Sequence, residues 1–256
     1  MKDNAKKFKL LYMILGLLGT GLIVATYFLP IWWVALQSIQ YPKAMYPKGI
    51  RIEFKYDGVY NGCKGVRERE ELAMDAGADC LIEMNKINHF IGMYPIVQGV
   101  NDVDELGNHV KYPVYAGDSI PDDKIPGALK ILDGIMRNAH IAFIVLGLFG
   151  LLFVFVPNKK LSWAAILTAL APFYFLIIYV YYLYWYGHHL GLHGGGAFNG
   201  IKPFMPTVFG EGKVAQFTTM SYPYVGFFVG LAGFVLLLLA VNFKNKYLKS
   251  LRTQSN

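Results

Sequence analysis

Cysteine is almost absent from this chain. Cys63 and Cys80 are the only two in 256 residues. No C-x-x-C-H occurs, which excludes covalent c-type haem attachment. The chain also has no G-x-S-x-G nucleophile elbow, P-loop, dinucleotide fingerprint or H-E-x-x-H, so the common hydrolase, ATPase and metalloprotease signatures are missing. Charge is missing in a patterned way. Residues 10–29, 139–156, 161–186 and 222–241 contain no Asp, Glu, Lys or Arg. Stretches of this length match the roughly 20 apolar residues needed to cross a bilayer. The absence of these charged residues from their cores argues against a proton or ion transporter.

What is present fits a polytopic membrane protein with four transmembrane α-helices and an extracytoplasmic α+β domain between helices 1 and 2. Hydrophobic residues make up 55% and aromatic residues 16%, with mean hydropathy +0.36. Short basic segments stay cytoplasmic. Lys2, Lys6, Lys7 and Lys9 precede the first stretch, Lys159 and Lys160 sit in the tight hairpin, and Lys244, Lys246, Lys249 and Arg252 follow the last. The expected order is a cytoplasmic N-terminus and signal anchor over 1–36, an outer domain over 37–138 and a span over 139–157. A hairpin and third span over 158–186, a His/Gly-rich outer loop over 187–221, and a fourth span with a basic tail over 222–256 complete it. Both termini then face the cytoplasm of a bacterial inner membrane. The first stretch runs on through Pro30 into Trp32 and Trp33 without a small-x-small cleavage site, so it reads as retained, with the tryptophans at the outer interface. The net charge of +7 lies at these membrane flanks. Residues 40–140 hold 12 Lys/Arg against 15 Asp/Glu, so no basic patch for nucleic acid exists there.

Within the outer domain, GIRIEFK (49–55) alternates as a strand, 66–76 reads as a charged helix stopped by Gly77, and 125–136 reads as a helix leading into the second span. In an oxidising compartment Cys63 and Cys80 are expected to form a disulfide, the alternative being a thiolate pair for copper. The run NKINHFIGMYPI (85–96) holds His89 and Met93 four apart. On a helix they would share a face as an imidazole and thioether pair for copper, and the plainer reading is a partly buried histidine beside core residues.

Two segments carry a resemblance. PIWWVALQSIQYP (30–42) and NKINHFIGMYPI are similar to signature segments of NosB-like polytopic membrane proteins encoded in nitrous oxide reductase (nos) gene clusters, and 203–223 is similar more loosely. Ser38-Ile39 departs from that pattern where Ala-Pro would be expected, and so does the charged insertion bearing Cys63 and Cys80. The resemblance implies a role beside a copper enzyme without supplying a ligand set.

A second candidate metal site is GHHLGLHGGG (187–196). His188, His189 and His193 on a glycine-permissive segment suit copper or zinc, with His140 at the start of the second span as a fourth ligand, and the alternative is a flexible polar loop. The third span ends in YVYYLYWY (179–186), an interfacial aromatic belt or the wall of a quinol pocket. Pro172 is placed to kink that span, and Gly226 and Gly230 permit close helix packing.

These features lead to the expectation of a membrane-anchored accessory factor without independent catalysis. It would serve copper-site maturation or electron supply for a periplasmic copper-dependent redox enzyme, in the nitrous oxide reductase system. The other readings are a quinol-interacting subunit of a larger redox complex and a structural subunit of a membrane enzyme such as a copper monooxygenase. The expected partners are the lipid bilayer and a redox enzyme or maturation complex.

Overall fold

The computed structural model describes residues 2–41, 43, 46–63, 80–96, 102–103, 109–110, 125–191, 202–214 and 216–255. The expected helix over 66–76, its stop at Gly77, and His193 lie outside the described residues. The chain divides into two compact units, one of residues 1–29, 139–176 and 225–256, the other of 30–138 and 177–224.

The first unit is helical. It contains α1 (Lys2–Thr26), α4 (Ala139–Phe155), a 3₁₀ turn (Lys159–Leu161), α5 (Ser162–Ala169), the start of α6 (Ala171–His188) and α7 (Val225–Ser255). Asn4–Thr26 and Val225–Thr253 are long and apolar enough to cross a membrane. The candidates number four if each of two bent helix pairs forms one span. One bend, of 43°, separates the helices of the third apolar stretch and precedes Pro172. Proline has no N–H to donate to Thr168, so the ladder stops at Leu170, whose carbonyl accepts from Phe173 and Tyr174. α1 and α7 run antiparallel, with Phe8 beside Phe243 and Thr26 near Gly230. A Cβ on Gly19 would stand 3.1 Å from the Gly233 carbonyl oxygen, and one on Gly233 the same distance from that of Gly19. Small residues let two apolar helices approach where lipid gives no hydrophobic drive for association. Gly230 packs against Pro172.

The second unit is built on a five-stranded antiparallel sheet in the order β3-β2-β1-β7-β6. The strands are β1 (Trp32–Gln37), β2 (Ile50–Lys55), β3 (Gly58–Asn61), β6 (Gly210–Val214) and β7 (Phe217–Pro223). β4 (Asp102–Val103) and β5 (His109–Val110) pair separately. Trp32 and Trp33 therefore open the central strand, and Trp32 is buried. The segment read as a loop, 187–221, supplies β6 and most of β7. β7 pairs with β1 from Trp32↔Pro223 to Gln37↔Thr218. Ser-Thr-Gly strands of this kind show little apolar periodicity, and their pairing partner lies far away in sequence.

Alternation sorts the sheet's two faces. Leu36, Ile50, Ile52 and Val59 pack against Leu81, Met84 and Ile87 of α2 (Cys80–Phe90). Burying such aliphatic side chains contributes about 1.5–3 kcal/mol each. A second cluster joins Leu129 and Leu132 of α3 (Gly127–Arg137) to Met93, Tyr94, Tyr182, Trp185 and Tyr186.

Candidate functional site

The run NHFIGM does not continue as a helix. The amide of Gly92 donates to the His89 carbonyl at 3.1 Å and that of Met93 to the Asn88 carbonyl at 2.7 Å, with Gly92 at φ 77°. This 5→2 and 6→1 pair with a left-handed glycine is a Schellman C-cap. Gly92 reverses the chain, so His89 and Met93 share no helical face. His89 lies on the exposed side of α2, while Met93 enters the core beside Tyr94. Asn85 completes the lock, its Oδ1 accepting from the Ile96 amide at 2.9 Å. The chemistry-bearing look of this run thus comes from residues that end α2 and turn the chain inward.

The aromatic end of α6 is sorted by helical spacing. Tyr179, Tyr182, Trp185 and Tyr186 are buried, whereas Tyr181 and Tyr184 are exposed. Tyr182 donates its hydroxyl to the Ala128 carbonyl at 2.8 Å and Tyr186 to that of Pro95 at 2.9 Å. These rings are core and tether, because a buried phenol needs an acceptor and backbone carbonyls of neighbouring segments supply it.

His188 and His189 follow at the C-terminus of α6. His188 Nδ1 lies 2.8 Å from the Tyr184 carbonyl oxygen and its ring stacks on Tyr184 at 3.8 Å. His189 Nδ1 lies 2.7 Å from the Trp185 carbonyl oxygen and its ring stacks on Trp185 at 4.3 Å. A carbonyl can only accept, so Nδ1 carries the proton in both rings, and in the neutral form Nε2 keeps its lone pair. A ring N–H held by a backbone carbonyl is the arrangement that orients metal-bound imidazoles. The negative end of the helix dipole also favours a cation there. His140 is exposed on α4 and belongs to the helical unit. Asp133 and Arg137, which precede it, form an ion pair at 2.7 Å. No group of three or more His, Cys, Asp or Glu side chains with metal-site geometry occurs among the described residues.

Cys63 and Cys80 are joined in a disulfide, with Cα atoms 5.7 Å apart. It ties the end of β3 to the first turn of α2, and Asn61 Oδ1 accepts from the amides of both cysteines at 2.9 and 3.3 Å. Two buried polar features gave no motif-level signal. Arg51, in the alternating strand, is buried with its guanidinium 4.6 Å from the Trp33 ring and 4.8 Å from that of Tyr224, and 3.3 Å from Glu53. The second is Ser221, fully buried, which donates to the Val208 carbonyl at 2.7 Å and accepts from Trp32 Nε1 at 2.8 Å. Its one proton is spent on a carbonyl, so the Tyr179 hydroxyl, 2.9 Å away, donates to its second lone pair. The hydroxyl is saturated and holds α6 to β7 and β1.

Comparison of the chain with protein-family models, with curated proteins and with solved structures finds no match.

Proposed function

We propose that the protein is a membrane-anchored accessory factor whose sheet unit faces the extracytoplasmic side and handles copper for a redox enzyme there. The nitrous oxide reductase system is the one the sequence resemblance indicates, with copper-site maturation or electron supply as the role. The observation that carries this reading is the pair His188 and His189, each with Nδ1–H committed to a carbonyl and Nε2 left as a donor atom. His188 ends α6 and stacks on Tyr184, while His189 lies just past that end and stacks on Trp185, so the two rings are held on different neighbours. One of these imidazoles therefore acts with His193, five or four residues on, and soft or borderline donors of this kind suit copper. The disulfide supports the compartment, because such bonds persist where the surroundings are oxidising. Lysines at the ends and hairpin of the apolar stretches support cytoplasmic termini in a bacterial inner membrane.

The test is copper stoichiometry of the detergent-purified protein after loading and desalting. Replacing His188, His189 and His193 together by alanine is expected to abolish bound copper and leave the unfolding temperature unchanged. Unchanged stoichiometry in that variant, with loss on His89→Ala, overturns the reading.

A further inference from the structure

The sheet ends in a pocket of about 540 Å³ that the copper reading does not use. Lys213, Thr218 and Gln37 form one row across β6, β7 and β1, since Thr218 is the register partner of both others. Paired positions of antiparallel strands project to the same side of a sheet, so these three polar side chains share one face, the one opposite Leu36 and Phe217, and line the pocket from that face where the sheet ends. The β1–β2 connection supplies the other wall with Tyr41, Lys43 and Tyr46. Tyr41 is fixed from several directions: its ring meets Tyr46 edge-on at 5.4 Å and Phe217 at 6.3 Å, and its hydroxyl donates to Glu83 Oε2 at 3.3 Å. The amide of Gln216 donates to Gln40 Oε1 at 3.0 Å and closes the rim.

The lining contains two lysines and no Asp or Glu. Neither lysine has an ion-pair partner among the described residues, and Glu83 is already engaged by Tyr41 and, at 2.8 Å, by Lys86. Two unpaired ammonium groups beside hydroxyl and amide donors favour an oxyanion, and the tyrosine rings favour a ligand with an apolar body. The volume lies in the range of small-molecule sites. We propose that this pocket binds a phosphate-bearing ligand, with Lys43 and Lys213 on the phosphate oxygens, Thr218 and Ser38 as hydroxyl donors, and the body of the ligand against Tyr41 and Tyr46.

The experiment uses the full chain in neutral detergent and phenyl phosphate as the probe, titrated by calorimetry at low salt. Saturable binding is expected, weakened on the order of tenfold or more by Lys43→Gln with Lys213→Gln, as loss of charge-assisted hydrogen bonds predicts. Thr218→Val should weaken it less, and Lys202→Gln should leave it unchanged; all variants are checked for an unchanged unfolding temperature. Competition by short-chain phosphatidylglycerol but not phosphatidylcholine identifies a lipid headgroup as the source, and no competition by either identifies a free phosphate compound. Absence of saturable binding, equal binding by the double variant, or an equal loss in Lys202→Gln overturns the proposal.

Discussion

Lys244 of α7 donates its Nζ to the main-chain carbonyl of Phe153 on α4, and to that of Val156 at 2.7 Å. The side chain is fully buried, with Nζ 4.2 Å from the Phe153 ring centroid and 5.7 Å from that of Tyr12. The last carbonyls of a helix have no partner within it. A lysine from a neighbouring helix thus caps α4, and cation–π contacts take the place of a carboxylate. Lys244→Met should leave the buried Phe153 carbonyl without its donor and cost about 1–3 kcal/mol, whereas the Val156 carbonyl keeps the Asn158 amide at 2.8 Å. The check is thermal unfolding in detergent, with Lys246→Met expected within about 0.5 kcal/mol of the parent as a surface change.

The proposed topology rests on the basic segments. Reporter fusions after Lys160 and at the C-terminus are expected to be cytoplasmic, and fusions within residues 98–111 extracytoplasmic. A cytoplasmic signal from the latter would sink the outward-facing reading of the sheet unit.

The disulfide should resist thiol labelling in the native protein and become labelled only after reduction. Replacing both Cys63 and Cys80 by serine releases a loop whose closure is worth about 3 kcal/mol in the chain-entropy model. Denaturant unfolding of the sheet unit should report a loss of that size, and a loss near zero would mean that the hydrophobic contacts of α2 alone hold the two ends together.

Gly92→Ala forces a side chain into left-handed backbone and should destabilise by about 1–2 kcal/mol. Gly92→Asn should cost less, because asparagine visits that conformation more readily. Equal losses for the two would argue against the cap as the reason for glycine there.

The Tyr41 hydroxyl titrates above its ordinary range, at about 12, because burial and then the neighbouring Glu83 carboxylate disfavour the phenolate. The folded state therefore holds this proton more tightly than the unfolded chain, whose tyrosine loses it near 10. The stabilisation is fully present below pH 10 and is lost as pH rises from 10 through 12. Tyr41→Phe should flatten that part of the stability profile, measured by denaturant midpoints across pH 9–12; an unchanged slope would refute the assignment.

Length and charge made the helical unit readable, since a run such as 10–29 has no soluble alternative of comparable simplicity. Pro172 likewise announced a break, which falls two residues earlier because the missing N–H frees the preceding turn. The sheet was half legible. GIRIEFK alternates as a strand should, but β1 is apolar from Trp32 to Leu36 and merges with the stretch before it, and periodicity cannot divide such a run. In the candidate site, His89 and Met93 have helical spacing, and only Gly92 between them carried the information that the helix stops. The aromatic residues of α6 have the composition of an interfacial belt, yet their order, inward at 179, 182, 185 and 186, is that of a core helix. Arg51, Ser221 and the Lys213–Thr218–Gln37 row depend on strand pairing across distant segments, which no local pattern encodes.

The pairing of Leu36 with Thr219 sets a schedule for synthesis. Translation proceeds at about 5–20 residues per second, so the partner for this edge of β1 emerges roughly 10–40 s later. During that interval the nascent β1–β2–β3 ribbon presents one row of unsatisfied amides and carbonyls, the kind of edge that recruits foreign strands. A message truncated anywhere before codon 217 therefore yields a chain that lacks both β7 and α7, with its sheet open and α1 without its antiparallel neighbour, and such fragments should be substrates for quality-control proteases rather than partly active proteins.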